Sequence, residues 1–137
     1  MKKYKFIDHT ADVMFEAYGN NLNKLFENAA LAVFEVQCDL KKVKRVVKRK
    51  IKLKNDDNEK LLFDFLEELI YLKDAKYLVF SKFSVKIKDN QLEAVIEGEK
   101  INPDKHELKV DVKAVTLHHF SLKKTKNGWK AIVILDI

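Results

Sequence analysis

The strand-rich second half of the chain is the feature that most constrains its fold. From Val79 onward, apolar segments alternate with turn signals at Asp89-Asn90 and Asn127-Gly128, dipeptides suited to two-residue hairpin turns. Strands joined by such turns pair in antiparallel fashion. The sequence therefore predicts an antiparallel sheet, with strands at Val85–Lys88, Leu92–Glu97, Leu108–Leu117, Phe120–Lys124 and Trp129–Leu135.

The first half adds two amphipathic helices. Apolar residues recur at helical spacing from Leu22 to Val36 and again from Leu62 to Ile70, which predicts one buried stripe on each helix. Short polar side chains precede both stripes and can accept the first free backbone N–H groups. The candidate caps are Asn20 or Asn21 for the first helix, and Asp56 with Glu59 for the second.

Three further strands complete the predicted fold. Phe6-Ile7 and Val13–Tyr18 flank a polar turn, and Val46–Lys54 alternates between apolar side chains and lysines, the pattern of a half-buried strand. A chain of 137 residues, 47% of them apolar, is long enough for one core and short for two. We predict a single α+β domain over residues 1–137, with two helices packed on a mostly antiparallel sheet of about eight strands.

The charge balance leaves the choice of partner open. The net charge is +6, and all 27 basic residues except Arg45 and Arg49 are lysines. A basic surface attracts phosphate, but arginine is the preferred side chain for bidentate phosphate recognition. Lysine enrichment alongside glutamate also accompanies life at high temperature. Net charge alone therefore selects no function.

Several function classes are disfavoured by the residues present. Cys38 is the single cysteine, so we expect neither an intramolecular disulfide nor a cysteine metal cluster. Its neighbours predict a packing role rather than a reactive thiol. The first residues are basic, but no apolar segment follows them, and no apolar run approaches the roughly 18 residues of a spanning helix. We expect a cytoplasmic protein that does not associate with membranes.

One segment, Lys41–Lys54, concentrates the positive charge. It holds nine basic residues and no acidic residue, so its lysines could meet RNA or an acidic partner. Lysines also protect edge strands from unwanted pairing. Because no aromatic residue is interleaved with these lysines, a base-stacking platform is not indicated.

Acidic residues near both ends of the chain are candidates for a cation site. Asp8 and Asp12 flank a polar turn, and Asp136 follows an apolar run and precedes Ile137. Carboxylate oxygens suit hard cations such as calcium or magnesium. Equally, Asp8 and Asp12 could bond their own turn backbone, and Asp136 could belong to a solvated terminus. The spacing alone leaves both interpretations open.

The histidines give no recognisable catalytic pattern. His106, His118 and His119 lie in no nucleophile–histidine arrangement, and the chain has neither an HExxH motif nor a glycine-rich phosphate loop. If the chain is extended there, His118 and His119 point to opposite faces. A structural or surface role is expected for all three, and a metal-dependent phosphohydrolase has no specific support.

Five segments in order along the chain resemble the archease family. Each is short, but together they span the chain from end to end and are specific in combination. They are Asp8–Val13 with Ala17–Gly19, Leu61–Leu69, His106-Glu107, Val112–Thr116 and Val133–Ile137.

The resemblance implies a protein cofactor rather than an enzyme. Members of the archease family activate GTP-dependent RNA ligases of the RtcB type. They promote guanylylation of the ligase's active-site histidine, allow multiple turnovers in tRNA splicing, and can broaden the nucleotide that the ligase accepts. The implied partner of this chain is therefore an RtcB-type RNA ligase, with at most weak or indirect contact to RNA.

The resemblance also implies a divalent cation, typically calcium. It assigns ligand roles to Asp12, to Asp136 and to Ile137 through its carboxylate, with Asp8 as a lesser candidate. Lys113 becomes a candidate contact to the ligase or its nucleotide. The alternative from another class is a stand-alone RNA-binding chaperone that uses the basic strand face from Lys48 to Lys54.

Overall fold

Seven antiparallel strands form two sheets. The computed structural model describes residues 2–7 and 12–137. Within them the strands are β1 Tyr4–Ile7, β2 Val13–Gly19, β3 Val47–Lys54, β4 Leu78–Lys88, β5 Gln91–Lys100, β6 Ala114–Thr125 and β7 Gly128–Asp136. One sheet has the order β1-β2-β7-β6, and the other the order β3-β5-β4. The α+β class and the antiparallel pairing are confirmed, with two sheets in place of one.

Two long helices join the sheets through a shared core. They are α1 at Leu22–Glu35 and α2 at Asn58–Lys76, and a short helix α3 covers Pro103–His106. Helix α1 packs against β2 and β4, and α2 packs against β6. The rings of Phe26 on α1 and Phe65 on α2 stack with centroids 6.0 Å apart. The predicted stripes are therefore the faces that hold the sheets together.

Side-chain caps fix where both long helices begin. Asn21 is the cap of α1, because its side chain accepts a hydrogen bond from the Lys24 N–H at 2.8 Å. Asp57 is the cap of α2 and accepts from the Glu59 N–H at 2.9 Å. The capping box predicted for Asp56 is therefore wrong by one residue, since the neighbouring carboxylate takes the free N–H groups.

The hairpin turns fall at or beside the predicted dipeptides. Asp89 and Asn90 join β4 to β5, and both have the positive φ angles of a tight hairpin turn. Between β6 and β7 the residues Thr125 and Gly128 pair directly. The turn therefore lies one residue earlier than predicted.

The strand predicted at Leu108–Leu117 is wrong for most of its length. Residues 107–113 have no regular secondary structure, because their backbone groups bond to scattered partners rather than to one neighbouring strand. The Lys109 N–H, for example, donates to the Gln37 carbonyl at 2.8 Å. The Val112 N–H donates to Gln37 Oε1 at 3.4 Å, and Lys73 Nζ donates to the Val112 carbonyl at 2.8 Å. Lys73 is 5% exposed and also pairs with Asp111 and Asp74. A buried ammonium group therefore fastens this segment to α2.

We predict that Lys73→Met destabilises the protein by about 2 kcal/mol, because it leaves the buried Val112 carbonyl without its donor. Urea unfolding monitored by circular dichroism measures the change. Lys76→Met is the matched control, since Lys76 is exposed on the same helix. Equal stability of the two variants would contradict a fastening role for Lys73.

Candidate metal centre at the strand ends

Three strands of the four-stranded sheet meet at one edge, where the predicted acidic residues lie. Val13 at the start of β2 pairs with Leu135 on β7, and Ala114 at the start of β6 pairs with Asp136. Strand β7 therefore lies between β2 and β6, which confirms that the apolar run before Asp136 is a central strand. The start of β2, the end of β7 and the start of β6 form a single edge.

This edge brings Asp12 close to Asp136. Asp12 immediately precedes Val13 and Asp136 immediately follows Leu135, so the two residues flank the terminal β2–β7 pair. Asp12 is half-buried, whereas Asp136 is exposed. Within residues 2–7 and 12–137, no ion pair includes either carboxylate. Two negative charges at adjacent strand ends repel unless a cation lies between them.

Lys113 and Ile137 belong to the same edge. The Lys113 N–H donates to the Asp136 carbonyl at 2.8 Å, which aligns the residue before β6 with the end of β7. Lys113 is exposed and so is Ile137, with 37% of its surface accessible. We call Asp12, Lys113, Asp136 and Ile137 the strand-end site. Asp8, the lesser candidate, lies outside the described residues.

Glu67 supports this edge from helix α2 and was not singled out from the sequence. Its Oε1 accepts a hydrogen bond from the Val115 N–H at 3.4 Å. Burial raises the pKa of the Glu67 carboxyl above its ordinary value, the bond from Val115 opposes the rise, and the charge of Asp64 adds to it. Glu67 therefore holds the first residues of β6 against α2. The helical motif Leu61–Leu69 contains it, but nothing in the motif shows that it faces β6.

Thr116 adds an oxygen close to the strand-end site. It pairs with Ile134, two residues before Asp136, so both side chains project from the same face of the sheet. Thr116 Oγ1 is buried and has no hydrogen-bond partner among the described residues. Buried hydroxyls are normally satisfied. Among the described residues, this oxygen is the one buried polar side-chain atom without a partner.

The donor chemistry of the edge fits a hard cation. Asp12 and Asp136 offer carboxylate oxygens, and no nitrogen or sulfur ligand is needed. No cluster of three histidine, cysteine, aspartate or glutamate side chains occurs in the described part of the chain. A cation held here would therefore also need oxygens such as the Ile137 carboxylate or water.

The remaining candidates have structural or surface roles. His106 is fully buried; its Nδ1 accepts from the Asn102 N–H at 2.8 Å, so its Nε2 donates to Glu99 at 2.9 Å. Burial alone would raise the pKa of Glu99, but hydrogen bonds from Lys105, His106 and the Lys44 amide lower it to about 2. His106 thus helps to hold the half-buried carboxylate of Glu99.

Cys38 and the paired histidines also lie away from any catalytic arrangement. Burial raises the pKa of the Cys38 thiol to about 11, which agrees with the predicted packing role. His118 and His119 are exposed, and their ring centroids are 4.0 Å apart. Opposite faces were expected only for an extended chain, and the chain is not extended here, because β6 is irregular between Thr116 and Ser121 and His119 has a φ of 55°.

The sheets and helices define a two-sheet α+β domain, and the register brings acidic residues to one set of its strand ends. Residues 4–137 match the model of the Archease protein family (MTH1598/TM1083). Protein archease of Methanosarcina acetivorans is 45% identical over 141 residues, which cover 99% of this chain and 97% of the relative. Protein archease of Pyrococcus abyssi is 40% identical over 142 residues, covering both chains in full. The chain belongs to the archease family.

Solved structures agree with this assignment. The solution structure of protein 1598 from Methanobacterium thermoautotrophicum has a TM-score of 0.89 and 42% identity, and each chain covers all of the other. The crystal structure of an archease from Thermotoga maritima, described as a possible chaperone, has a TM-score of 0.69 and 22% identity. That match covers 97% of this chain and 96% of the other, and it supports the fold alone.

The lengths and compositions of the helices bear on whether the chain could span a membrane. Among residues 2–7 and 12–137, none of the helices has the length and apolar character required to cross a bilayer.

Proposed function

We propose that this protein activates an RtcB-type RNA ligase in tRNA splicing, in the cytoplasm. It promotes guanylylation of the ligase's active-site histidine, permits multiple turnovers and broadens the nucleotides that the ligase accepts. The observation that carries the proposal is the full-length match to the archease family together with a strand-end site that collects the residues to which the family resemblance assigns roles.

The strand-end site is the proposed working surface. Asp12, Asp136 and the carboxylate of Ile137 would hold calcium or another hard divalent cation, with Asp8 as a further ligand. Such a cation supplies positive charge and orients oxygen ligands. The backbone of Lys113 is aligned with Asp136 by a hydrogen bond, and its exposed side chain brings an ammonium group to the same strand ends. That group can contact a carboxylate or phosphate of the ligase–nucleotide complex.

The proposed role is accessory rather than catalytic. The described residues place no nucleophile beside a general base at the strand-end site, and the exposed histidines contact each other. A hydrolase would need such a pair or an activated water. The chemistry is therefore assigned to the ligase, and this protein acts by contact with it.

The test follows ligase guanylylation with radiolabelled GTP, and ligation under multiple-turnover conditions, with and without this protein. We expect stimulation of both reactions, and no ligation or phosphate release by the isolated protein. A ligase from the same source is the appropriate partner, because docking surfaces are specific. Absence of stimulation by the folded protein would refute the activator role.

The stand-alone RNA chaperone is the second candidate. The confirmed alternation of lysines along β3 favours it, since Lys48, Lys50, Lys52 and Lys54 are all exposed. It differs from the activator in one measurable way, because it requires RNA remodelling in the absence of any ligase. Annealing of a fluorescent RNA pair by the isolated protein would separate the two roles.

A further inference from the structure

The solvent face of the three-stranded sheet carries two parallel rows of lysines. Side chains alternate between faces along a strand, and the residues between these lysines, such as Ile51 and Val85, are buried in the core. All members of both rows are exposed. The rows are Lys48, Lys50, Lys52 and Lys54 on β3, and Lys82, Lys86 and Lys88 on β4. We call these seven residues the lysine face.

The strand register aligns the two rows across the central strand β5. Lys48 and Lys82 both pair with Glu97, and further along Lys52 and Lys86 both pair with Glu93. Strand geometry places lysines two positions apart about 7 Å from each other, Lys82 about 13 Å from Lys86, and the two rows about 10 Å apart. The positive charges therefore lie in two aligned rows, with Ser84 in place of a lysine in the β4 row.

The glutamates between the rows do not neutralise the lysine face. Seven lysines face two glutamates, Glu93 and Glu97. The ion pairs that form are Lys52–Glu93 at 3.9 Å and Lys82–Glu97 at 3.6 Å, and exposed pairs of this kind contribute little. The lysine face keeps a clear surplus of positive charge.

The surface between the rows is concave. A cleft of about 370 Å³ crosses all three strands, and a second of about 350 Å³ lies beside the β4–β5 hairpin. Three lysines and two glutamates line the first cleft: Lys50, Lys52, Lys86, Glu27 and Glu93. Lysine side chains on either side of a cleft can close on a charged chain that lies in it.

Edge protection explains only part of this pattern. Both β3 and β4 are edge strands, and lysines on edge strands discourage pairing with other chains. That purpose accounts for a lysine on each edge. It does not account for seven lysines in register on one face.

We propose that the lysine face binds the phosphate backbone of RNA without reading its bases. Lysine contacts phosphate oxygens as a point charge, so rows of lysines can follow a phosphate backbone without a fixed geometry at each contact. The outward positions of β3, β4 and β5 carry no aromatic residue, so base stacking is not available. Arg49, exposed between Lys48 and Lys50, is the one arginine on these three strands. The identification of the polyanion as RNA rests on the proposed function, whereas the geometry of the lysine face does not.

The test measures binding of fluorescent oligouridylate to the full-length isolated protein over a range of salt concentrations. The triple variant Lys82→Gln, Lys86→Gln, Lys88→Gln should bind at least about tenfold more weakly near 0.1 M salt. The slope of log affinity against log salt concentration should decrease in magnitude by about 2. The matched control is Lys123→Gln, Lys124→Gln, Lys126→Gln, which removes three exposed lysines near the β6–β7 turn. The control should change both quantities little.

A second pair of variants tests the two glutamates of β5 that lie between the lysine rows. Glu93→Gln with Glu97→Gln should raise RNA affinity, because it removes the negative charges between the lysines. Glu59→Gln with Glu68→Gln, the same charge change on α2, should not. Equal effects of the matched variants would overturn the proposal in favour of net charge alone. Polyglutamate binding as tight as RNA binding would also overturn it.

Failure of this inference is distinguishable from failure of the proposed function. If the lysine variants aggregate while their RNA affinity is unchanged, the lysines serve edge protection and the proposal is wrong. Ligase guanylylation needs no RNA substrate and is measured separately. A protein that stimulates guanylylation but binds oligouridylate no differently after lysine replacement would leave the activator role standing and reject the RNA face.

Discussion

Asp136→Asn is expected to lower calcium affinity by about 100-fold or more and to abolish stimulation of the ligase. The replacement keeps the size of the side chain but removes one of the two negative charges at the strand-end site, and an amide is a much poorer ligand for a hard cation. The fold should survive, because Asp136 is exposed and its backbone carbonyl still accepts from Lys113. Asp12→Asn should have the same effect, since Asp12 flanks the same terminal strand pair.

Isothermal titration with calcium and the guanylylation assay measure the two losses. Asp104→Asn is the control, because it removes an exposed carboxylate on α3. Adding residues after Ile137 should also weaken calcium binding, since it converts the proposed carboxylate ligand into an amide. Unchanged calcium affinity in the folded Asp12 and Asp136 variants would refute the metal site. Loss of activation with calcium binding intact would show that these carboxylates contact the ligase directly.

Local patterns predicted the elements of this fold well. The stripes of α1 and α2, the alternation along β3 and the polar turn at Asp89-Asn90 each depend on neighbouring residues in the sequence. The strand at Leu108–Leu117 failed for a physical reason. Its backbone groups bond to Gln37 and Lys73, which lie far away along the chain, and no local pattern records such contacts.

The candidate site also has residues that the sequence predicted and a residue that it did not. Asp12 and Asp136 were found as isolated carboxylates, and the family resemblance assigned them to one cation. Their proximity depends on the register between β2 and β7, which couples the two ends of the chain. Glu67 was missed because its role depends on how α2 lies over β6.

The second row of the lysine face was also invisible in the sequence. Along β4, Phe80 pairs with Gly98 and Lys82 pairs with Glu97, so Ser81 is an extra residue. This bulge reverses the alternation of side chains. It keeps Phe80 and Phe83 on the core face, where both rings pack on Phe34 at 5.7 and 5.8 Å. As a result Lys82 points outward, in line with Lys86 and Lys88.

Gly98→Ala is expected to break this arrangement and to destabilise the protein by about 3 kcal/mol, at the upper end of overpacking effects. A Cβ at Gly98 would lie 1.9 Å from the Val79 carbonyl oxygen and 2.7 Å from Phe80 Cα. Both are backbone atoms of β4 at the bulge, so no side chain can move aside to relieve the clash. The strands must separate or shift register, and either change misplaces the β4 lysines.

Urea unfolding and oligouridylate binding measure the two consequences of Gly98→Ala. Ala94→Gly is the control, because Ala94 is buried on the same strand and face. That replacement should cost about 1 kcal/mol through backbone entropy and leave the register intact. The RNA affinity of the control should therefore stay near that of the parent protein, while Gly98→Ala loses affinity at temperatures where it is still folded. A Gly98→Ala protein with unchanged stability would show that β4 and β5 do not approach as closely as the bulge requires.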